Sequence, residues 1–114
     1  MAQPEWYPFD DGSTIGGTGS EKGIILRDEE YSDCARITLE RDAYAPFAIT
    51  CGIYGWMVHT CFFRSEAEAN EAFESMKVDL TRIDNLIPLR DDPEADHRLD
   101  AVYEAISAFV EKFP

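Results

Sequence analysis

Apolar residues recur at every second position through the first half of the chain and at every third or fourth through the second half. This change of period divides the sequence into a strand region and a helix region. Between residues 13 and 63 the alternation is interrupted by turn residues every eight to twelve positions, which predicts a run of antiparallel strands. A short strand over 13–17 is expected to turn through 18–22 into a strand over 23–28. An acidic loop over 29–33 then leads to a strand over 34–41, in which Ala35, Ile37 and Leu39 point one way and Arg36, Thr38 and Glu40 the other. After residues 42–46, the segments 47–51 and 56–63 form the most apolar pair, with Gly52-Ile53-Tyr54-Gly55 read as the turn between them.

The period lengthens after the last strand. Ser65 and Glu68 form a capping box, and Ala69, Phe73, Met76, Leu80, Ile83 and Ile87 follow at helical spacing, predicting a helix over 65–87 that ends at Pro88. Asp92 as N-cap and Pro93 at the first helical position predict a second helix over 92–113, with Ala95, Leu99, Val102, Ile106, Phe109 and Phe113 as its apolar stripe. Strands first and helices last give an α+β fold: an antiparallel meander of four to five strands with both helices on one face. Residues 1–12 carry Trp6, Tyr7 and Phe9 between Pro4 and Pro8 and read as an extended aromatic arm, expected to cover an edge of its own domain. Residues 13–114 are then a single domain.

The 114 residues are 45% hydrophobic, enough for a chain of this length to bury a core of its own. Its net charge of −13 removes the electrostatic driving force for binding nucleic acid or an anionic membrane surface and favours a basic partner. Segment 35–64 is close to neutral, so the acids flank it on both sides. Residues 1–12 have no basic residue and no apolar run of seven or more, so they do not read as a signal peptide. The three cysteines, Cys34, Cys51 and Cys61, have no CxxC spacing and fit reduced thiols in a cytoplasmic protein.

Candidate chemistry is sparse. Gly16-Gly17-Thr18-Gly19 lies between strands rather than ahead of a helix and lacks a Gly-Lys-Ser or Gly-Lys-Thr sequence, so it reads as a turn and not a phosphate loop. With residues 52–55 as the turn, Cys51 would pair with Trp56, and His59 and Cys61 would point to the opposite face, which argues against a zinc set; neither metal nor cofactor is expected. Neither His59 nor His97 sits in a nucleophile context, and no catalytic set emerges.

Two surfaces remain as candidates. If Phe47, Ile49, Trp56, Val58 and Phe62 face the helices, the open sheet face presents Arg36, Thr38, Glu40, Thr50, Met57, His59 and Phe63, a mixed surface that calls for a ligand or a second chain. On the second helix, Asp96, Asp100 and Glu104 stack four residues apart beside Tyr103, a ridge suited to a basic protein. The expectation is a non-catalytic protein acting through protein–protein contact, as a homodimer or by binding or inhibiting a basic partner. The alternative is a small-ligand site or enzyme on the open face around His59 and Arg36.

Overall fold

The computed structural model describes residues 6–88 and 91–114. Five strands form one antiparallel sheet in the order in which they occur along the chain. They are β1 (Tyr7–Pro8), β2 (Ile24–Tyr31), β3 (Ala35–Arg41), β4 (Phe47–Ile53) and β5 (Met57–Phe63). Two helices follow, α1 (Glu66–Leu86) and α2 (Ala95–Lys112), packed against the sheet. Among the described residues no helix is long and apolar enough to cross a membrane.

Helix α1 starts where the capping box places it, with the Ser65 hydroxyl accepting the Glu68 amide at 3.1 Å. Its buried residues Ala69, Phe73, Met76, Leu80 and Ile83 repeat at three and four and meet Ala35, Ile37, Leu39, Ile49, Cys51 and Ile53 of the sheet in one core. Helix α2 starts later than the sequence predicts: Asp92 accepts the Glu94 amide through its side chain at 2.8 Å, but regular helix begins at Ala95. Val102, Phe109 and Phe113 of its stripe are buried.

The fifth strand comes from the arm and not from residues 13–17. Tyr7 and Pro8 pair with Glu30 and Glu29 on the free edge of β2. Trp6 packs against Tyr31 at 5.5 Å between ring centroids, and its indole N–H donates to Thr81 on α1. The arm thus docks on its own domain. Residues 13–23 form successive turns, held to β2 by the Gly16 amide donating to Ile25 and the Ile25 amide donating to Gly17. This loop folds back across the open face of the sheet.

The β4–β5 turn corrects the expected register. The Trp56 amide donates to the Ile53 carbonyl, and Gly55 adopts φ +83° at the third position, the type II geometry for which glycine is suited. One positive-φ glycine suffices, so Gly52 stays within β4 and the loop shortens to Tyr54-Gly55-Trp56. Cys51 then pairs with His59 and Ile53 with Met57. Shortening the loop by one residue reverses which side chains of β5 face the helices. Met57, His59, Cys61 and Phe63 lie on the helix side, and Val58 and Phe62 on the open side, opposite to the expectation.

Candidate functional site

Of the residues expected on the open face, the structure keeps Arg36, Thr38, Glu40 and Thr50 there and removes Met57, His59 and Phe63. His59 is not available to a ligand on that face. Its Nε2–H donates to the Phe113 carbonyl beyond the end of α2, and its ring meets Phe109 edge-on at 6.2 Å. Cys61 donates to the same carbonyl at 3.2 Å. His59 therefore anchors the segment after α2 over β5. Cys51, His59 and Cys61 share the helix face, so the opposed parity expected of them fails. Even so, no group of three or more His, Cys, Asp or Glu side chains among the described residues could hold a metal ion. Burial pushes the Cys51 thiol up to about 12 and the Cys61 thiol up to about 11.

The open face is ordered in rows that cross the strands. One row runs Glu30, Arg36, Gly52, Val58; the next Asp28, Thr38, Thr50, Thr60; a third Ile25, Glu40, Ala48, Phe62. A bulge in β2 between Ile25 and Arg27 sets this arrangement. It puts Ile25 under the loop while Arg27 reaches Asn70 and Glu74 on α1. Thr50 and Gly52 are small, so this part of β4 forms the floor of a trough. One wall is the loop over residues 14–20 together with Arg36, and the other is Val58 with the Tyr54-Gly55-Trp56 turn. The trough has a volume of about 800 Å³.

Gly52 is required in the floor: a Cβ there would stand 2.9 Å from the Met57 carbonyl oxygen of β5. Thr50 and Thr60 bond each other at 3.3 Å and add hydroxyls beside it.

The charges below the loop are bound internally. Asp28 is buried and accepts from Arg36 Nε at 2.9 Å and Nη2 at 2.6 Å, from Thr14 at 2.8 Å and from Thr38 at 3.1 Å. Hydrogen bonding to Asp28 raises the Arg36 pKa further, and the guanidinium lies over the Phe9 ring at 3.6 Å from its centroid. Arg36 is thus clamped between the arm and β2 rather than free to seize an anion. Glu40, expected at the surface, is fully buried and accepts the Gly23 amide at 2.9 Å and the Glu21 amide at 3.3 Å. Gly19 makes that burial possible, because a Cβ there would fall 2.2 Å from the Glu40 carboxyl carbon. The Gly16-Gly17-Thr18-Gly19 stretch is accordingly a lid on a buried carboxylate.

Gly52, Tyr54, Val58 and the 14–20 loop are trough components that the sequence does not single out, and neither does it single out the buried Asp28 that ties the loop down through Thr14. The retrievable signal was Gly55, which alone satisfies a tight turn and would have placed Gly52 in the strand. On α2 the ridge stands as expected in exposure: Asp96, Asp100 and Glu104 face solvent, and Tyr103 is 56% exposed with its ring 6.2 Å from Trp56. The acids of the ridge and the floor of the trough lie on opposite sides of the sheet, and the two surfaces approach each other at the β4–β5 turn, where Tyr103 neighbours Trp56. Comparison of the chain with protein-family models, with curated proteins and with solved structures returned no match.

Proposed function

We propose that the protein is a non-catalytic binding protein whose trough on the open sheet face receives a segment of a basic partner protein. The observation that carries this reading is the trough itself: a small-residue floor of Thr50 and Gly52, with apolar and hydroxyl walls and about 800 Å³ of space. That volume falls in the range of sites that hold a substantial ligand group. Its hydroxyls have no imidazole beside them, since His59 lies on the other face, and Arg36 and Asp28 are committed to each other. This supports binding over group transfer.

The charge balance supports a basic partner. Glu30 lies on the open face next to Tyr54, whose hydroxyl donates to it at 3.0 Å. Against a net charge of −13, a cationic segment gains in rate of encounter, and an apolar side chain entering the trough supplies the anchor. The three free cysteines fit a reducing, cytoplasmic setting.

The test is titration of ¹⁵N-labelled protein with short Lys/Arg-rich peptides that carry one Leu, Phe or Trp. Saturable shifts are expected at the amides of Thr38, Thr50, Gly52 and Val58, weakening as salt shortens screening from about 10 Å at 0.1 M to about 3 Å at 1 M. Thr50→Trp, which fills the floor, should abolish them. Shifts confined to Asp96, Asp100 and Glu104, or binding that survives Thr50→Trp, would overturn the reading.

A further inference from the structure

The two edges of the sheet are treated differently. On one side the free edge of β2 is covered by β1, a strand of two residues that includes a proline and lies against Glu29 and Glu30. Short edge strands, proline and charge are the usual means of blocking further pairing. On the other side β5 is seven residues long, Met-Val-His-Thr-Cys-Phe-Phe, with no Lys, Arg, Asp, Glu, Pro or Gly. Its pairing with β4 is regular, without a bulge. No β5 backbone group bonds to a loop or cap among the described residues. Val58 is 81% and Phe62 50% exposed. A long, regular, uncharged and apolar edge with unpaired backbone groups is a template for another strand.

We propose that β5 pairs antiparallel with β5 of a second copy of this chain, about a two-fold axis at Thr60, joining the two sheets into one. The sequence of β5 is what selects a second copy. About Thr60 the strand is self-complementary: Val58 falls opposite Phe62 of the second copy, His59 opposite Cys61, Met57 opposite Phe63, and Thr60 opposite itself. The outward pairs are then Val58 against Phe62, apolar against apolar, flanking Thr60 against Thr60, and no like charges meet. A chain of net charge −13 repels its own copies over most of its surface, and β5 lies in the one segment that is close to neutral.

Helix α2 supplies a second, independent feature on the same side. Its contacts place it along β5, with Tyr103 near Trp56, Phe109 near His59 and the Phe113 carbonyl near Cys61. Lys112, bonded to Asp79, marks the flank turned toward α1. Leu99, Tyr103, Ile106 and Val110 recur at four, three and four residues on the other flank, where Tyr103 and Val110 remain 56% and 40% exposed. An apolar stripe therefore overhangs the bare edge. The acids Asp96 and Asp100 sit toward the start of α2, away from the axis through Thr60, and the charges at its other end, Glu111 and Lys112, are of opposite sign.

The pairing is independent of what occupies the trough, and it would set two troughs side by side with Val58 and Phe62 as the ridge between them. The test is cysteine cross-linking in a Cys34→Ser background, with sedimentation measured in parallel. Thr60→Cys should oxidise to a covalent dimer, because residues opposite each other across the axis have Cα atoms within the few ångströms a disulfide spans. Val58→Cys alone should not, since two copies of that residue would stand about 14 Å apart along the strands. Nor should Phe62→Cys alone, but the two variants mixed should cross-link. The unmodified chain should sediment at twice 12.9 kDa, and Thr60→Lys, which sets ammonium against ammonium, should weaken association at least tenfold with an unchanged circular dichroism spectrum. A monomer at about 100 µM would overturn the pairing. So would a dimer in which Val58→Cys cross-links as readily as Thr60→Cys, because that dimer would use another register or another surface.

Discussion

The two faces of the sheet are built by the same strands in the same register, yet they handle polar groups in opposite ways. On the covered face the fully buried β3 and β4 positions that meet the helices are aliphatics or a thiol, with the aromatic Phe47 packed at their edge, and the polar residues there, Arg27, Glu29 and His59, reach sideways to Glu74, Lys77 and the Phe113 carbonyl. On the open face the strands alternate hydroxyls, small residues and carboxylates, which are satisfied by a loop and an arm from the same chain. The comparison separates two uses of burial. The covered face is buried to hold the fold together, whereas the open face is buried around Asp28, Glu40 and Ala48, leaving Thr50 and Gly52 of β4 partly open as a trough.

The widest gap between the faces should appear in side-chain truncations. Phe73 is fully buried, with Arg27 stacked at 4.0 Å from its ring centroid. Phe73→Ala should cost about 3–5 kcal/mol in denaturant unfolding through lost burial and a residual cavity. Thr50→Ala, in the trough floor, should cost less than about 1 kcal/mol, the scale of its one hydroxyl bond to Thr60. Equal losses would erase the distinction.

Within the open face the anchored part should behave unlike the bare part. Asp28→Ala leaves Arg36 without its bidentate partner and removes an acceptor for Thr14 and Thr38. Losing one member of a buried ion pair costs about 3–5 kcal/mol. The Arg36 side chain is 35% exposed, so water recovers part of that and a loss nearer 2 kcal/mol is expected. The 14–20 loop should lose amide-exchange protection at the same time, because Thr14 ties it down. A variant with native stability and a protected loop would show that the arm and the glycine turns hold the open face without Asp28.

The covered face should announce itself in alkali. Cys51 and Cys61 titrate near 12 and 11 when folded, against about 9 for a thiol in water, so between pH 9 and 11 the unfolded chain gives up protons that the native state keeps. Stability from these thiols is fully present below pH 9 and falls as pH rises, by up to about 1.4 kcal/mol per pH unit for each thiol. Cys51→Ala/Cys61→Ala should flatten that slope while lowering stability at pH 7. A slope unchanged by the double substitution would assign the alkaline loss to other groups.

The fold was legible in the sequence because period two and period 3.6 are both consequences of burying one side of an element. Ala35, Ile37 and Leu39 and the α1 stripe from Ala69 to Ile83 obeyed them, and Ile87 falls just past the helix as its extended C-cap. The open face was legible only in part. Arg36, Thr38, Glu40 and Thr50 follow from the parity of β3 and β4. Met57, His59 and Phe63 were assigned to the wrong side because β5 inherits its parity from one turn, and two glycines within four residues, Gly52 and Gly55, allow turns of either length. Composition also could not tell that Glu40 is buried. A carboxylate accepting backbone amides under a glycine lid has no hydrophobic period to betray it, and Gly19 read as a turn residue when its role is close approach.

The smallest effect expected is on α2, and it tests whether ridge and trough are one surface or two for a partner. Asp96, Asp100 and Glu104 repel along one row by a few tenths of a kcal/mol per pair, but Asp96 lies in the first turn, where the helix dipole favours an anion. Asp100→Asn/Glu104→Gln should therefore raise stability by about 0.3–0.5 kcal/mol, whereas adding Asp96→Asn should return much of that gain. Because the acids of the ridge and the floor of the trough lie on opposite sides of the sheet, the triple variant should still shift the Thr50 and Gly52 amides on binding a basic peptide. It should slow association only in proportion to the lost net charge, with dissociation unchanged. A loss of binding as complete as that from Thr50→Trp would instead make the ridge the recognition surface and reduce the trough to a feature of packing.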